Sequence, residues 1–328
     1  MSTSSNQLLT KDPNKDAGQA ARRPLFLMSR PRDDWAIRGR ANVFAQDAIS
    51  PAAAAAQHDW DLITAAITEA GGAVVVVDGP DPLLTGLPYT AEAGVLGFDA
   101  RGPIFVLPRL TPEHRRREPE VIQPALEKLG VRTLQLPEGV RFEGQGDVVD
   151  VGPAGAPRFV CTHGEGKWAR TRADAFAHYA PLLPGEALHV GFHADPWFHG
   201  NTFLGAWRGG TGKGADVVVA CCFEALRDDG AARLRAFVEG ARIVELSREQ
   251  TLTYATNALQ VNDTVLAPTG VPDVVVDAWR GLGLTVRFLA LPALFGKGGG
   301  AAVCLTNRLW GFDVDAAAVA AAGMRLIA

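Results

Sequence analysis

Long apolar runs are missing from this chain of 328 residues. No stretch approaches the roughly 20 residues needed to span a bilayer, so the reading is a soluble, cytoplasmic protein without a membrane partner. An excess of one charge is missing too, since 32 Lys and Arg stand against 36 Asp and Glu, a net charge of −4. That balance offers no electrostatic footprint for nucleic acid. Cysteine is scarce: Cys161, Cys221, Cys222 and Cys304 form neither a Cys-x-x-Cys pair nor a disulfide framework. Their scatter excludes structural zinc and fits a reducing compartment. The adjacent Cys221 and Cys222 would make a strained bridge and are read as core. No His/Cys/Asp spacing suggests a metal, and no Gly-x-Gly-x-x-Gly follows a first strand to cradle a dinucleotide. The expectation is therefore no metal, no cofactor and a small-molecule partner.

Met1 to Arg23 is polar and lacks the apolar centre of a signal peptide, and it is read as a disordered tail. Residues 24–328 contain no linker and are read as one domain. Within them short β-branched runs such as Leu25–Met28, Val74–Val77, Ile104–Leu107, Val217–Ala220 and Thr264–Ala267 alternate with Ala- and Leu-rich segments at Asp59–Ala70, Pro119–Leu129, Phe223–Glu239 and Pro272–Leu282. That alternation marks an α/β protein. Two or three strands occur per helix, unlike a doubly wound sheet, and strand-strand-helix-strand units of about 50 to 60 residues suit a ring of blades.

Cys304 follows Gly298-Gly299-Gly300 and lies in an apolar segment, Ala302–Leu305, read as a strand. Glycines leave room for a substrate beside the thiol, so it reads as a nucleophile, with a small buried hydrophobe as the plain alternative. Among seven histidines His199 has the most informative setting, between Trp197-Phe198 and Gly200-Asn201-Thr202. His58, His114 and His178 are read as surface residues, and His163, His189 and His193 as structural. The third segment is Phe142-Glu143-Gly144-Gln145-Gly146-Asp147, two carboxylates four apart around glycines. Carboxylates so placed suit a planar cation that needs bidentate acceptors, although a turn with capping acids would look the same.

Together these segments resemble the guanidine-modifying enzymes of the pentein superfamily, and among them the dimethylarginine dimethylaminohydrolase and amidinotransferase-like branch. The resemblance runs from Leu25 to Leu309 with the order of motifs kept: Phe26–Pro31, Tyr89–Gly94, Arg109 ahead of Arg115–Glu118, the Phe142–Asp147 motif, Arg170-Thr171, Phe198, His199 and Thr202, and Gly299–Thr306. It implies a five-bladed α/β propeller with one active site on its axis. It also implies that Cys304 attacks a guanidinium carbon, that His199 moves the protons and that Glu143 orients His199. A carboxylate on the first blade would hold the guanidinium, at Glu92, and Arg109 and Arg170 would grip a substrate carboxylate. Asp147 and Asn201 complete the substrate-binding set. Asn201 stands where many relatives have an aspartate that clamps both nitrogens of free arginine, which points to a substituted or unusual guanidine. Glu92 is longer than the Asn or Asp usual there, which favours a smaller or different cation. Arg115–Arg117 is read as a solvated helix start.

The function expected is a cysteine-dependent hydrolase acting through a covalent thiouronium intermediate. An amidinotransferase, in which an amine resolves the same intermediate, is the alternative, and a silent pentein that only binds is the third. A homodimer is also expected.

Overall fold

The computed structural model describes residues 23–39, 42–45, 49–210, 216–295 and 299–328, so most of the expected N-terminal tail lies outside the described residues. Five small sheets carry the fold. Four repeat one unit: an antiparallel hairpin whose second strand continues through a helical crossover into a parallel third strand. In chain order these are β3 (Val95–Asp99), β4 (Gly102–Val106) and β5 (Arg132–Leu134); β6 (Val148–Asp150), β7 (Arg158–Glu165) and β8 (Glu186–His193); β9 (Leu204–Arg208), β10 (Val217–Cys221) and β11 (Arg242–Glu245); and β12 (Leu259–Val261), β13 (Thr264–Pro268) and β14 (Thr285–Leu289).

The remaining sheet is assembled from both ends of the chain. β1 (Leu25–Met28) runs parallel to β2 (Ala73–Val76), while β15 (Asn307–Arg308) and β16 (Arg325–Ile327) return antiparallel on either side. With its two ends sharing a blade, the chain forms a five-bladed α/β propeller.

Helices explain why the central strands are apolar on both faces. β1 and β2 are buried at every position, as expected where a crossover helix covers a parallel pair. That helix, α1 (Ala53–Glu69), turns Ala56, Trp60, Ile63 and Ile67 inward at helical spacing, while its outward face mixes His58, Asp61 and Glu69 with alanines and Leu62. It begins six residues before the apolar period becomes legible, because the alanines at 53–56 favour helix without marking a face. α2 (Pro119–Lys128) and α4 (Asp273–Gly281) serve two other blades. The long helix expected at Phe223–Glu239 is a short turn followed by α3 (Gly230–Phe237).

Short turns lead into the blades and converge on the axis. They span Thr90–Ala93, Gly144–Gly146, Gly200–Thr202 and Ala255–Asn257, and a turn at Ala302–Leu305 precedes β15. The strand expected at Ala302–Leu305 is thus a turn, with the strand following it. Amide side chains tie these turns together. Asn257 Nδ2 donates to the Asn201 carbonyl at 3.2 Å and Asn201 Nδ2 to the Gln145 carbonyl at 3.4 Å. Gln145 Nε2 donates to Asn307 Oδ1 at 2.9 Å, and Asn307 Nδ2 to the Gly94 carbonyl at 2.8 Å. The turns approach so closely that a Cβ at Gly144, whose φ is +56°, would sit 2.6 Å from the Gly94 backbone.

Candidate active site

Cys304 is held by its backbone rather than by a strand. Asn257 Oδ1 accepts the N–H of both Ala301, at 2.9 Å, and Cys304, at 3.1 Å, which fixes the turn and aims the thiol into an axial cavity. The thiol is 1 % exposed, and burial pushes its pKa up to about 11 against the opposing pull of Asn257, Ala301 and Arg115. Asn201 Oδ1 lies 3.9 Å from Cys304 Sγ. At rest the sulfur is a protonated thiol.

His199 stands at the entry to the β9 blade and shares the cavity wall with Cys304. Its ring lies flat on the backbone of the neighbouring turn, where a Cβ on Gly146 would come within 2.9 Å. Nε2 is 2.8 Å from Glu143 Oε2, and Nδ1 is 3.3 Å from Glu92 Oε1 without hydrogen-bond geometry. Glu143 is wholly buried, which disfavours its charge, yet the Arg170 guanidinium 3.8 Å away and the bond to His199 hold its pKa at about 2. Its other oxygen accepts the Thr111 backbone N–H at 2.7 Å. Since Glu143 is ionised, it is the acceptor and Nε2 carries the proton, which leaves Nδ1 as the ring nitrogen facing the cavity.

Glu92 enters from the turn before β3, the second blade rather than the first. Its carboxylate is engaged by Arg115, which also forms a bidentate pair with Glu118 at 2.8 Å on both nitrogens. Arg115 is therefore not a solvated helix start but a buried side chain in the cavity wall. Against the penalty of burial, the Glu118 carboxylate raises its pKa, so it stays charged. Arg170 is buried in the same wall, with Nε donating to the Trp168 carbonyl at 3.2 Å. His114, expected on the surface, lines the cavity and is half-buried; burial, and then the neighbouring Arg170, lower its pKa.

Two of the expected substrate residues lie elsewhere, and a third touches the thiol from outside the cavity. Arg109 turns away from the axis, both Nε and Nη2 donating to the Leu136 carbonyl at 2.9 and 2.6 Å, and it faces a separate cavity of about 270 Å³ shared with Arg116 and Arg141. Its backbone pairs with Phe142, and that register sends the side chain outward. Asp147 is wholly buried behind the site, accepting from Thr162 Oγ1 at 2.6 Å and from the Gly200 N–H at 2.9 Å. It builds the His199 turn and does not line the cavity. Asn201 reaches the thiol from the far side of the axis and faces a third cavity.

The structure thus gathers Cys304, His199, Glu143, Glu92, Arg170 and, at the thiol, Asn201, and adds Arg115 and Asn257, neither of which was a candidate. Asn257 had one signal in the sequence: Tyr254-Ala-Thr-Asn-Ala before β12 echoes Tyr89-Thr-Ala-Glu-Ala before β3. Among the described residues, Glu92, Glu143 and His199 form a group with metal-ligating chemistry, their donor atoms within 4.8 Å of one another. Arg115 and Arg170 already neutralise both carboxylates, and the imidazole occupies the space between them. The arrangement suits proton transfer beside a thiol.

No family model matches the chain, and no curated protein sequence does. Solved structures do. The N-terminal domain of ArgZ, an arginine dihydrolase from the ornithine-ammonia cycle in cyanobacteria, is 22% identical with a TM-score of 0.74 over 87% of this chain and 98% of that one. AgrE, solved with L-arginine, is 23% identical with a TM-score of 0.74 over 88% of this chain, which spans only 40% of AgrE. A dimethylarginine dimethylaminohydrolase solved as an adduct with S-methyl-L-thiocitrulline is 19% identical with a TM-score of 0.59 over 87% of this chain and 99% of that one.

Proposed function

Starting from the pentein fold of this chain, we propose that the protein is a cysteine-dependent hydrolase of a guanidino compound. One observation carries the reading: a buried cavity that holds a lone thiol together with an imidazole whose far nitrogen is bonded at 2.8 Å to an ionised glutamate. A guanidinium carbon is a poor electrophile, because its charge is spread over three nitrogens, and it calls for a thiolate. A thiol with a pKa near 11 ionises when a cation binds beside it.

In the proposed sequence Cys304 Sγ bonds to the guanidinium carbon and its proton passes to His199 Nδ1. The same nitrogen then protonates the departing amine as the C–N bond breaks, leaving a thiouronium on Cys304. Water, deprotonated by His199 Nδ1, adds to that carbon, and expulsion of the thiolate releases a ureido product. Glu143 stabilises the imidazolium in both steps and fixes its tautomer. The arginine dihydrolases and the dimethylarginine dimethylaminohydrolase that share the fold act on related groups, as their names state.

The test is to incubate the protein with guanidino compounds in the absence of any amine acceptor, and to trap Cys304 with 2-chloroacetamidine followed by mass spectrometry. Ureido product with a single label on Cys304 is expected. Turnover only when an amine is supplied would make the protein an amidinotransferase, and unlabelled Cys304 with unchanged turnover in Cys304→Ala would remove the nucleophile.

A further inference from the structure

Arg109, expected at the substrate, lines a cavity of its own away from Cys304. Three guanidinium groups meet there from three segments: Arg109 follows β4, Arg116 precedes α2, and Arg141 leads into the Glu143 turn. The one acid in the lining is Glu120, and its carboxylate accepts from Arg117 Nε at 3.2 Å. Among the described residues no carboxylate is paired with Arg109, Arg116 or Arg141. The run Arg115–Arg117 shows the contrast. Arg115 is paired with Glu92 and Glu118, and Arg117 with Asp81 at 2.9 Å and Glu120, whereas Arg116 between them has no acid.

Positive charge is thus gathered at one cavity of a chain whose net charge is −4. Like charges around a cavity repel one another, and an anion between them removes that repulsion. The floor strengthens the effect, because Leu107, Leu110 and Leu136 are buried and offer no competing polar side chain. Two of the guanidinium groups are also held in place. Arg109 Nε and Nη2 both donate to the Leu136 carbonyl, and Arg116 Nη2 donates to the Thr111 carbonyl at 3.3 Å. Those bonds leave Nη1 of each without a partner among the described residues, and the Arg141 side chain makes no hydrogen bond to them at all. A guanidinium fixed along one edge presents the other as a fork that matches phosphate or carboxylate oxygens.

We propose that this cavity is a second ligand site, separate from the axial one, for a small molecule bearing a doubly charged oxyanion: a phosphate group or two neighbouring carboxylates. The site does not depend on the chemistry assigned to Cys304. It lies behind Glu143, since Arg109 and Phe142 exchange backbone hydrogen bonds at 2.9 and 3.3 Å and the Thr111 N–H binds the Glu143 carboxylate at 2.7 Å. A ligand that grips Arg109 and Arg141 therefore ties together the two segments whose pairing carries Glu143.

Calorimetric titration of the full-length protein with inorganic phosphate, succinate and acetate, at low and constant ionic strength, tests the proposal. Phosphate or succinate should bind at one site per chain at least tenfold more tightly than acetate. Tighter phosphate would identify a phosphate ester as the ligand class, and tighter succinate a dicarboxylate. Hydrogen exchange in the presence of the tighter anion should slow across residues 107–116 and 135–143. Arg109→Gln combined with Arg141→Gln should weaken binding at least tenfold. Arg141→Gln alone, which removes no bond within the protein, should weaken it at least threefold and serves if the double variant fails to fold. Phosphate and succinate binding no more tightly than acetate, or an affinity unmoved in the variants, would overturn the proposal. Protection confined to the turns around Cys304 would overturn it as well, by placing the anion in the axial cavity.

Discussion

Two halves of the axial ring use the same local structure for opposite ends. The turns entering the second, third and fourth blades present Glu92, Glu143 and His199, whereas the turn entering the fifth presents Asn257 and the closing turn presents Cys304. All five side chains are buried. In the charged half each group is compensated by another side chain: Glu92 by Arg115, and Glu143 by His199 and Arg170. In the amide half the partner is backbone, with Asn257 Oδ1 accepting two N–H groups of the cysteine turn. A buried charge must be paired wherever it lies, but a pairing between side chains can gain or lose a proton and a pairing with backbone cannot. One half of the ring is therefore suited to moving protons and the other to holding the Cys304 thiol in place.

Substitutions that break this division should act in different measurements. The largest effect is expected for Cys304→Ala, a loss of roughly 10³-fold or more in kcat with urea denaturation little changed. Glu143→Gln should follow with a loss of about 10²–10⁴-fold in kcat and little change in KM. It should also change the acid response. The folded pKa of Glu143 is depressed from 4.5 to about 2, so its stabilising contribution is present above 4.5 and is lost as pH falls toward 2. Glu143→Gln should lack that pH-dependent loss, as read from urea midpoints across the window.

On the amide side, Asn257→Ala strands the buried N–H groups of Ala301 and Cys304 and should cost about 2–6 kcal/mol of stability, measured by urea denaturation, at about 1–3 kcal/mol each. Alkylation tests the state of the thiol itself. With a pKa of about 11, roughly 10⁻⁴ of Cys304 is thiolate at neutral pH. Neutral iodoacetamide should therefore react slowly, its rate rising about tenfold per pH unit up to pH 10. Cationic 2-chloroacetamidine should react readily at pH 7. The smallest effect is expected for Arg109→Ala: because that guanidinium faces a separate cavity, KM for a guanidino acid should change less than about threefold.

Much of the scaffold was legible from burial patterns. β1, β2, β4, β10 and β13 are runs of apolar residues because both their faces are covered, and such runs announce themselves. β8 did not, because three of its eight residues are polar: Glu186 and the histidines at 189 and 193 face outward or sit half-buried. β3, β12 and β16 are short or contain glycine, and only pairing with their neighbours makes them strands. The segment at Ala302–Leu305 misled in the other direction, its apolar residues belonging to a turn buried by the axis. In the site, Cys304, His199 and Glu143 were legible from glycine-flanked motifs, while Arg115 was hidden in a run of three arginines, of which it alone is buried.

By itself the sequence determined which chemistry is available and the order in which the blades follow, since both depend on residue types and on periodicities along the chain. Only the tertiary structure decided which of these residues meet. Arg109 and Arg170 carry the same guanidinium and looked equivalent, yet the pairing of Arg109 with Phe142 turns one away from the axis while burial beside Glu143 keeps the other in the wall. Arg115 was drawn inward by two acids, 23 residues before it and three after it in the chain. Whether a charge is solvated or buried depends on what the fold brings within a few ångströms of it, and that distance is set by packing between blades, not by spacing within them.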